Sequence, residues 1–119
     1  MPSLPYRWFR AEAVGPVTVV RFPHPGALTG EAVGVIADQL FQLVDEGGCR
    51  RLVVNLANVE GLDSAMLGKL LVLNQKLLAL GGRMKLCRVP EPIAEVLTTA
   101  RLPDILGIYE DESQALQSF

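Results

Sequence analysis

The residues with the clearest chemical potential are Asp63 and Ser64, inside Leu62-Asp63-Ser64-Ala65-Met66-Leu67-Gly68. They follow the strand-like run Leu52-Val53-Val54-Asn55-Leu56 after a short connection. An Asp-Ser pair that opens an amphipathic helix sets a hydroxyl among unpaired backbone N–H groups, at the positive end of the helix dipole. Such a hydroxyl can cap the helix, bind an anion or accept a phosphate. Serine is a favoured N-cap, contributing about 0.5–2 kcal/mol there. On the residues alone, Ser64 therefore reads first as a cap.

Catalytic sets are hard to assemble from the remaining residues. The positions two away from Ser64 are Leu62 and Met66, so no Gly-x-Ser-x-Gly elbow is present. The sole histidine, His24, lies between Pro23 and Pro25, where a loop residue is the simpler reading than a triad member. Neither a Gly-rich phosphate loop nor a dinucleotide fingerprint occurs. Glu110-Asp111-Glu112 reads as an acidic helix start that complements the dipole. Cys49 and Cys87, with one histidine to join them, form neither a disulfide framework nor a metal set. The expectation is a non-enzymatic protein with no catalytic residues, no metal and no cofactor.

Composition narrows the class further. The 119 residues suit one domain, taken as 1–119, with half the residues hydrophobic and 20% charged. A formal net charge of −2 argues against nucleic acid, whose phosphates need a basic face. Arg50-Arg51 is the one adjacent basic pair and reads as a strand flank. Met1-Pro2-Ser3-Leu4-Pro5 lacks the pattern of a secretory signal, and no apolar run reaches the roughly 18 residues of a membrane span. A reducing cytoplasm is the expected location.

The elements that would position Asp63 and Ser64 follow from periodicity. Tyr6–Ala13 and Val17–Phe22 read as strands around the Gly15-Pro16 turn, and residues from Phe22 to Leu28 as a loop. Thr29 is placed to cap a helix to about Glu46, with Val33, Ile36, Leu40, Leu43 and Val44 on one stripe. Arg51–Leu56 is a strand, and residues from Asn58 to Leu62 a turn. A second helix runs from Ser64 to Leu80 with Leu67, Leu70, Leu71, Leu77 and Leu78 facing inward, and Gly81-Gly82 stops it. A strand over Arg83–Arg88, a helix from Pro90 to about Ala100, a strand over Ile105–Tyr109 and a short helix from Asp111 to about Gln117 complete the chain. The order β-β-α-β-α-β-α-β-α implies a mixed, mostly parallel sheet of about five strands with an antiparallel edge.

Val53-Val54-Asn55-Leu56, the Asp63-Ser64 segment, the helix ending at Gly81-Gly82 and Arg83-Met84-Lys85-Leu86-Cys87 together resemble a STAS domain of the bacterial anti-sigma factor antagonist family. The resemblance runs from about Val17 to Phe119. It implies an α/β fold, a small sheet with helices packed on one side. It also implies a protein-binding module whose partners are a serine-kinase anti-sigma factor and a serine phosphatase. The kinase of that family phosphorylates the serine after the aspartate, which here is Ser64, and phosphorylation abolishes binding.

Gly26-Ala27-Leu28-Thr29 falls where the family carries a Gly-x-Leu-Asp turn near that serine. The resemblance thus assigns partner binding to Thr29, Asp63, Ser64, Ala65 and Met66. This chain departs from the Asp-Ser-Ser/Thr-Gly-Leu-Gly motif at Ala65 and Met66, and Met66 would set a long side chain where a partner backbone approaches. Thr29 replaces the aspartate of the turn. The rival expectation is a non-switching STAS scaffold or transporter-associated interaction subunit, in which Ser64 is only a helix cap.

Overall fold

The structure is a computed structural model that describes residues 4–5, 8–102 and 105–119. It contains β1 (Leu4–Pro5), β2 (Arg10–Val14), β3 (Val17–Arg21), β4 (Gly26–Leu28), α1 (Ala32–Asp45), β5 (Arg51–Asn55), β6 (Val59–Leu62), α2 (Ser64–Ala79), β7 (Arg83–Cys87), α3 (Glu91–Thr99), β8 (Gly107–Tyr109) and α4 (Glu112–Gln117). The expected strand start at Tyr6 lies outside the described residues.

The main sheet has the order β1-β2-β3-β5-β7-β8, antiparallel through β3 and parallel beyond it. Gly15-Pro16 closes the β2–β3 hairpin, in which Val14 faces Val17. Strands β3 and β5 occupy the middle, and their side chains alternate between two apolar layers, as the two-residue period of a strand requires. Val20, Leu52, Val54, Met84 and Leu86 enter the larger core beneath α1, α2 and α3. Val17, Val19, Val53 and Cys87 point the other way, against Ala115 of α4. The three longer helices share one face of the sheet as expected, while the terminal helix covers the opposite face.

Helix α1 buries the stripe read from its sequence, Val33, Ile36, Leu40, Leu43 and Val44, together with Ala37. Its N-cap is Glu31, which makes no side-chain cap bond, so Thr29 does not cap it. Helix α2 turns a different face inward than its leucines suggest. Met66, Leu70, Leu73, Asn74 and Leu77 are buried, Leu67 and Leu71 are partly buried, and Leu78 is 41% exposed. This helix is apolar over much of its circumference, so periodicity alone does not fix its rotation. At its end, a side chain on Gly82 would collide with the carbonyl of Arg50, which accepts a 2.8 Å hydrogen bond from the Arg83 N–H. Glycine there lets α2 turn tightly into β7.

Two segments expected as irregular are strands. β4 and β6 form a separate parallel pair, with Gly26 opposite Val59, Ala27 opposite Gly61 and Leu28 opposite Leu62. Three or four residues containing Pro25, Gly26 and Gly61 nearby carry little strand propensity. Their pairing is a product of tertiary placement, as the 3.2 Å bond from Gly26 N–H to Asn58 O at its entrance illustrates.

Candidate functional site

The β4–β6 pair builds the site. Because the two strands are parallel and end in register at Leu28 and Leu62, the chain leaves both at the same edge. Thr29-Gly30 then leads into α1 and Asp63-Ser64 into α2, so two strand-to-helix turns lie side by side.

Asp63 joins them. Its backbone is extended (φ −94°, ψ 174°) as befits an N-cap, and its Oδ1 accepts the Met66 N–H at 2.9 Å. Its Oδ2 accepts the Gly30 N–H at 2.9 Å from the neighbouring turn. Gly30 has φ +63°, a conformation that glycine adopts without the penalty of a β-carbon. The two N–H groups, Gly30 first and Met66 second, hold the Asp63 carboxyl below the ordinary aspartate range. This carboxylate is therefore ionised and committed to structure on both oxygens.

Ser64 occupies the first helical position after the cap. It is exposed, and its hydroxyl makes no hydrogen bond to any described residue. The capping role read for Ser64 from sequence belongs instead to Asp63, because the residue whose side chain folds back to Met66 N–H is the one in extended conformation. Ser64 presents a primary hydroxyl without a structural task, beside a fixed negative charge and at the start of a four-turn helix. Ala65 is exposed next to it, and Thr29 and Gly30 are exposed on the adjoining turn.

Met66 corrects another expectation. Its side chain is fully buried in the main core, where it starts the inward stripe of α2, so it cannot meet a partner directly. The surface that the turns assemble consists of Thr29, Gly30, Asp63, Ser64 and Ala65. Gly30, whose N–H ties the two turns together, is not among the residues the sequence singles out. Its signal was a glycine placed directly before a helical pattern, where a left-handed residue can aim its N–H at a neighbouring element.

The other chemical candidates lie elsewhere. His24 is exposed and lines a small cleft of about 180 Å³ with Trp8, Phe22, Pro25 and Leu28. Cys49 and Cys87 are buried free thiols in different cores, and burial raises the pKa of both, that of Cys87 to about 11. Among the described residues no three His, Cys, Asp or Glu side chains group as metal ligands, and no helix is long and apolar enough to cross a membrane.

Comparison with known proteins gives the family of the chain. The family model described as STAS domain matches residues 9–115. A protein of Paenibacillus polymyxa named Anti-sigma F factor antagonist is 31% identical over 104 residues, covering 84% of each chain. A Thermotoga maritima crystal structure, described as that of a candidate anti-sigma factor antagonist, superposes with a TM-score of 0.86 at 23% identity over 94% of both chains. The Bacillus cell fate determinant SpoIIAA in its phosphorylated form superposes with a TM-score of 0.69 at 21% identity, over 92% of this chain and 97% of that one. These two structural likenesses establish the fold. With the family match spanning nearly the whole length, the chain belongs to the STAS domain family.

Proposed function

We propose that this chain is an anti-sigma factor antagonist, a non-enzymatic module that docks a serine-kinase anti-sigma factor on the surface formed by Thr29, Gly30, Asp63, Ser64 and Ala65. Phosphorylation of Ser64 by that kinase ends the complex, and a serine phosphatase restores it. The observation that carries the reading is the exposed, unbonded hydroxyl of Ser64 beside a carboxylate held on each oxygen by the Gly30 and Met66 N–H groups. The family membership and the name of the Paenibacillus relative support it.

The physics of the switch is local. A phosphoryl group adds about −1.5 to −2 charges and three strong acceptors. The N-terminus of α2 favours negative charge, so the fold tolerates the modification. Asp63 cannot relieve the added charge, because its hydrogen bonds keep it ionised. A partner surface packed on a neutral hydroxyl would meet bulk, desolvation and like-charge repulsion, which together cost several kcal/mol. That is a hundredfold or greater loss of affinity.

Incubation with the cognate kinase and ATP should add one phosphate, mapped to Ser64 by mass spectrometry, and Ser64→Ala should abolish incorporation while keeping kinase binding. Ser64→Asp should stay folded and bind at least tenfold more weakly. Equal binding by a folded Ser64→Asp variant, with no phosphate incorporated in the wild type, would instead support the scaffold reading that the unusual Ala65-Met66 pair suggests.

A further inference from the structure

The second face of the sheet has an apolar layer of its own. Val17, Val19, Val53 and Cys87 are buried there with Ala115, and Val14, Tyr109, Leu116 and Phe119 flank them. None of these residues belongs to the core beneath the longer helices. The cover over this layer is α4 and the residues after it. A six-residue helix with one fully buried side chain has little intrinsic stability.

Two polar latches hold the cover. In the first, Arg21 Nε and Nη2 each donate to Glu112 at 2.7 Å, while Arg21 Nη1 donates to Glu12 at 2.8 Å. Asn55 Nδ2 donates to the same Glu112 at 2.7 Å. In the second, Lys85 Nζ donates to Ser118 O at 2.9 Å and to Ser118 Oγ at 2.8 Å, and sits 4.6 Å from the centre of the Phe119 ring. Glu12, Arg21, Asn55 and Lys85 belong to the sheet, whereas Glu112, Ser118 and Phe119 belong to the cover. Except for Arg21–Glu12, which holds the guanidinium in place within the sheet, every bond of the two latches joins the fixed body to the terminal segment.

We propose that residues 111–119 form a latched strap that swings off the sheet as a unit while the rest of the domain stays folded. Ala115 is the one fully buried side chain of its helix, Leu116 and Phe119 pack beside it only partly buried, and partly exposed ion pairs add modest stability. Its opening therefore lies well below global unfolding in free energy. Opening uncovers the apolar band of Val17, Val19, Val53 and Cys87 on the side of the sheet away from α1 and α2. It also frees Asn55, whose Oδ1 holds the Ala57 N–H at 2.9 Å on the connection that leads to β6 and Ser64.

The two cysteines report the motion. Cys87 lies fully buried in the layer that the strap covers, and Cys49 lies in the main core. The native protein is exposed to a thiol reagent, modification is mapped by peptide mass spectrometry, and each rate is divided by that of the same thiol in the urea-unfolded chain. Cys87 should react at least tenfold faster than Cys49, at a rate unchanged by low urea. Glu112→Gln should raise the Cys87 rate at least fivefold and leave Cys49 within twofold. Removal of residues 118 and 119 tests the second latch and should act in the same direction. Equal rates for both thiols, rising together with urea, would overturn the strap, as would Cys87 rates unaffected by both variants.

Discussion

Asp63 and Ser64 are neighbours with opposite duties. The carboxylate closes the N-terminus of α2 and ties it to the β4–α1 turn, while the hydroxyl is left to solvent. Replacement of Ser64 by alanine should therefore leave stability within about 0.5 kcal/mol, as for an exposed residue without partners. Asp63→Ala should lower the melting temperature clearly, because it removes the cap and orphans the Gly30 N–H. The effect has a sign in pH. The folded-state pKa of Asp63 is depressed, so its stabilisation is complete above the ordinary aspartate range and is lost as pH falls through the depressed value. Thermal melts of wild type and Asp63→Ala should differ at neutral pH and converge in acid. A larger loss from Ser64→Ala than from Asp63→Ala would return the cap to Ser64.

At the level of elements, the strong patterns were legible and the weak ones were not. The stripe of α1 and the β-branched run of β3 carry their own period, and each occurs where the sequence places it. The start of α4 at Asp111 was also legible from its acidic run, which the sequence assigns to the helix dipole; in the structure Asp111 is in addition the cap, its side chain accepting the Gln114 N–H at 2.8 Å. β4 and β6 were not, because their pairing depends on contacts between segments more than 30 residues apart. The rotation of α2 was also hidden, because leucines occupy several of its faces and only the sheet chooses among them. That choice is testable. Leu73→Ala should cost about 2–5 kcal/mol in a denaturant melt, since Leu73 is 1% exposed. Val72→Ala, one residue earlier and 50% exposed, should change stability by less than about 0.5 kcal/mol. Equal costs at the two positions would mean that the helix is rotated otherwise.

Across the whole molecule, two carboxylates tie together parts of the chain that are distant in sequence, and they act in separate places. Asp63 joins the turns that present Ser64, with Gly30 and Met66 as partners. Glu112 pins the terminal helix to the sheet through Arg21 and Asn55. Arg21, its largest influence, and then Asn55 hold the Glu112 carboxyl below the ordinary glutamate range, and Glu112 in turn raises the pKa of Arg21. Arg21 keeps its charge at every relevant pH, so acid acts on this pair by protonating Glu112. Both carboxylates therefore contribute stability above the ordinary carboxylate range and lose it as pH falls through their lowered values. Since the two sets share no hydrogen-bonding residue, their effects should combine simply. The double variant Asp63→Ala/Glu112→Gln should lose the sum of the single losses to within about 0.5 kcal/mol at neutral pH. The losses should shrink together in acid. A double variant that loses markedly less than the sum would show that the site edge and the strap are energetically coupled. The path between them would then run through Asn55, whose Nδ2 donates to Glu112 and whose Oδ1 accepts the Ala57 N–H on the connection to β6.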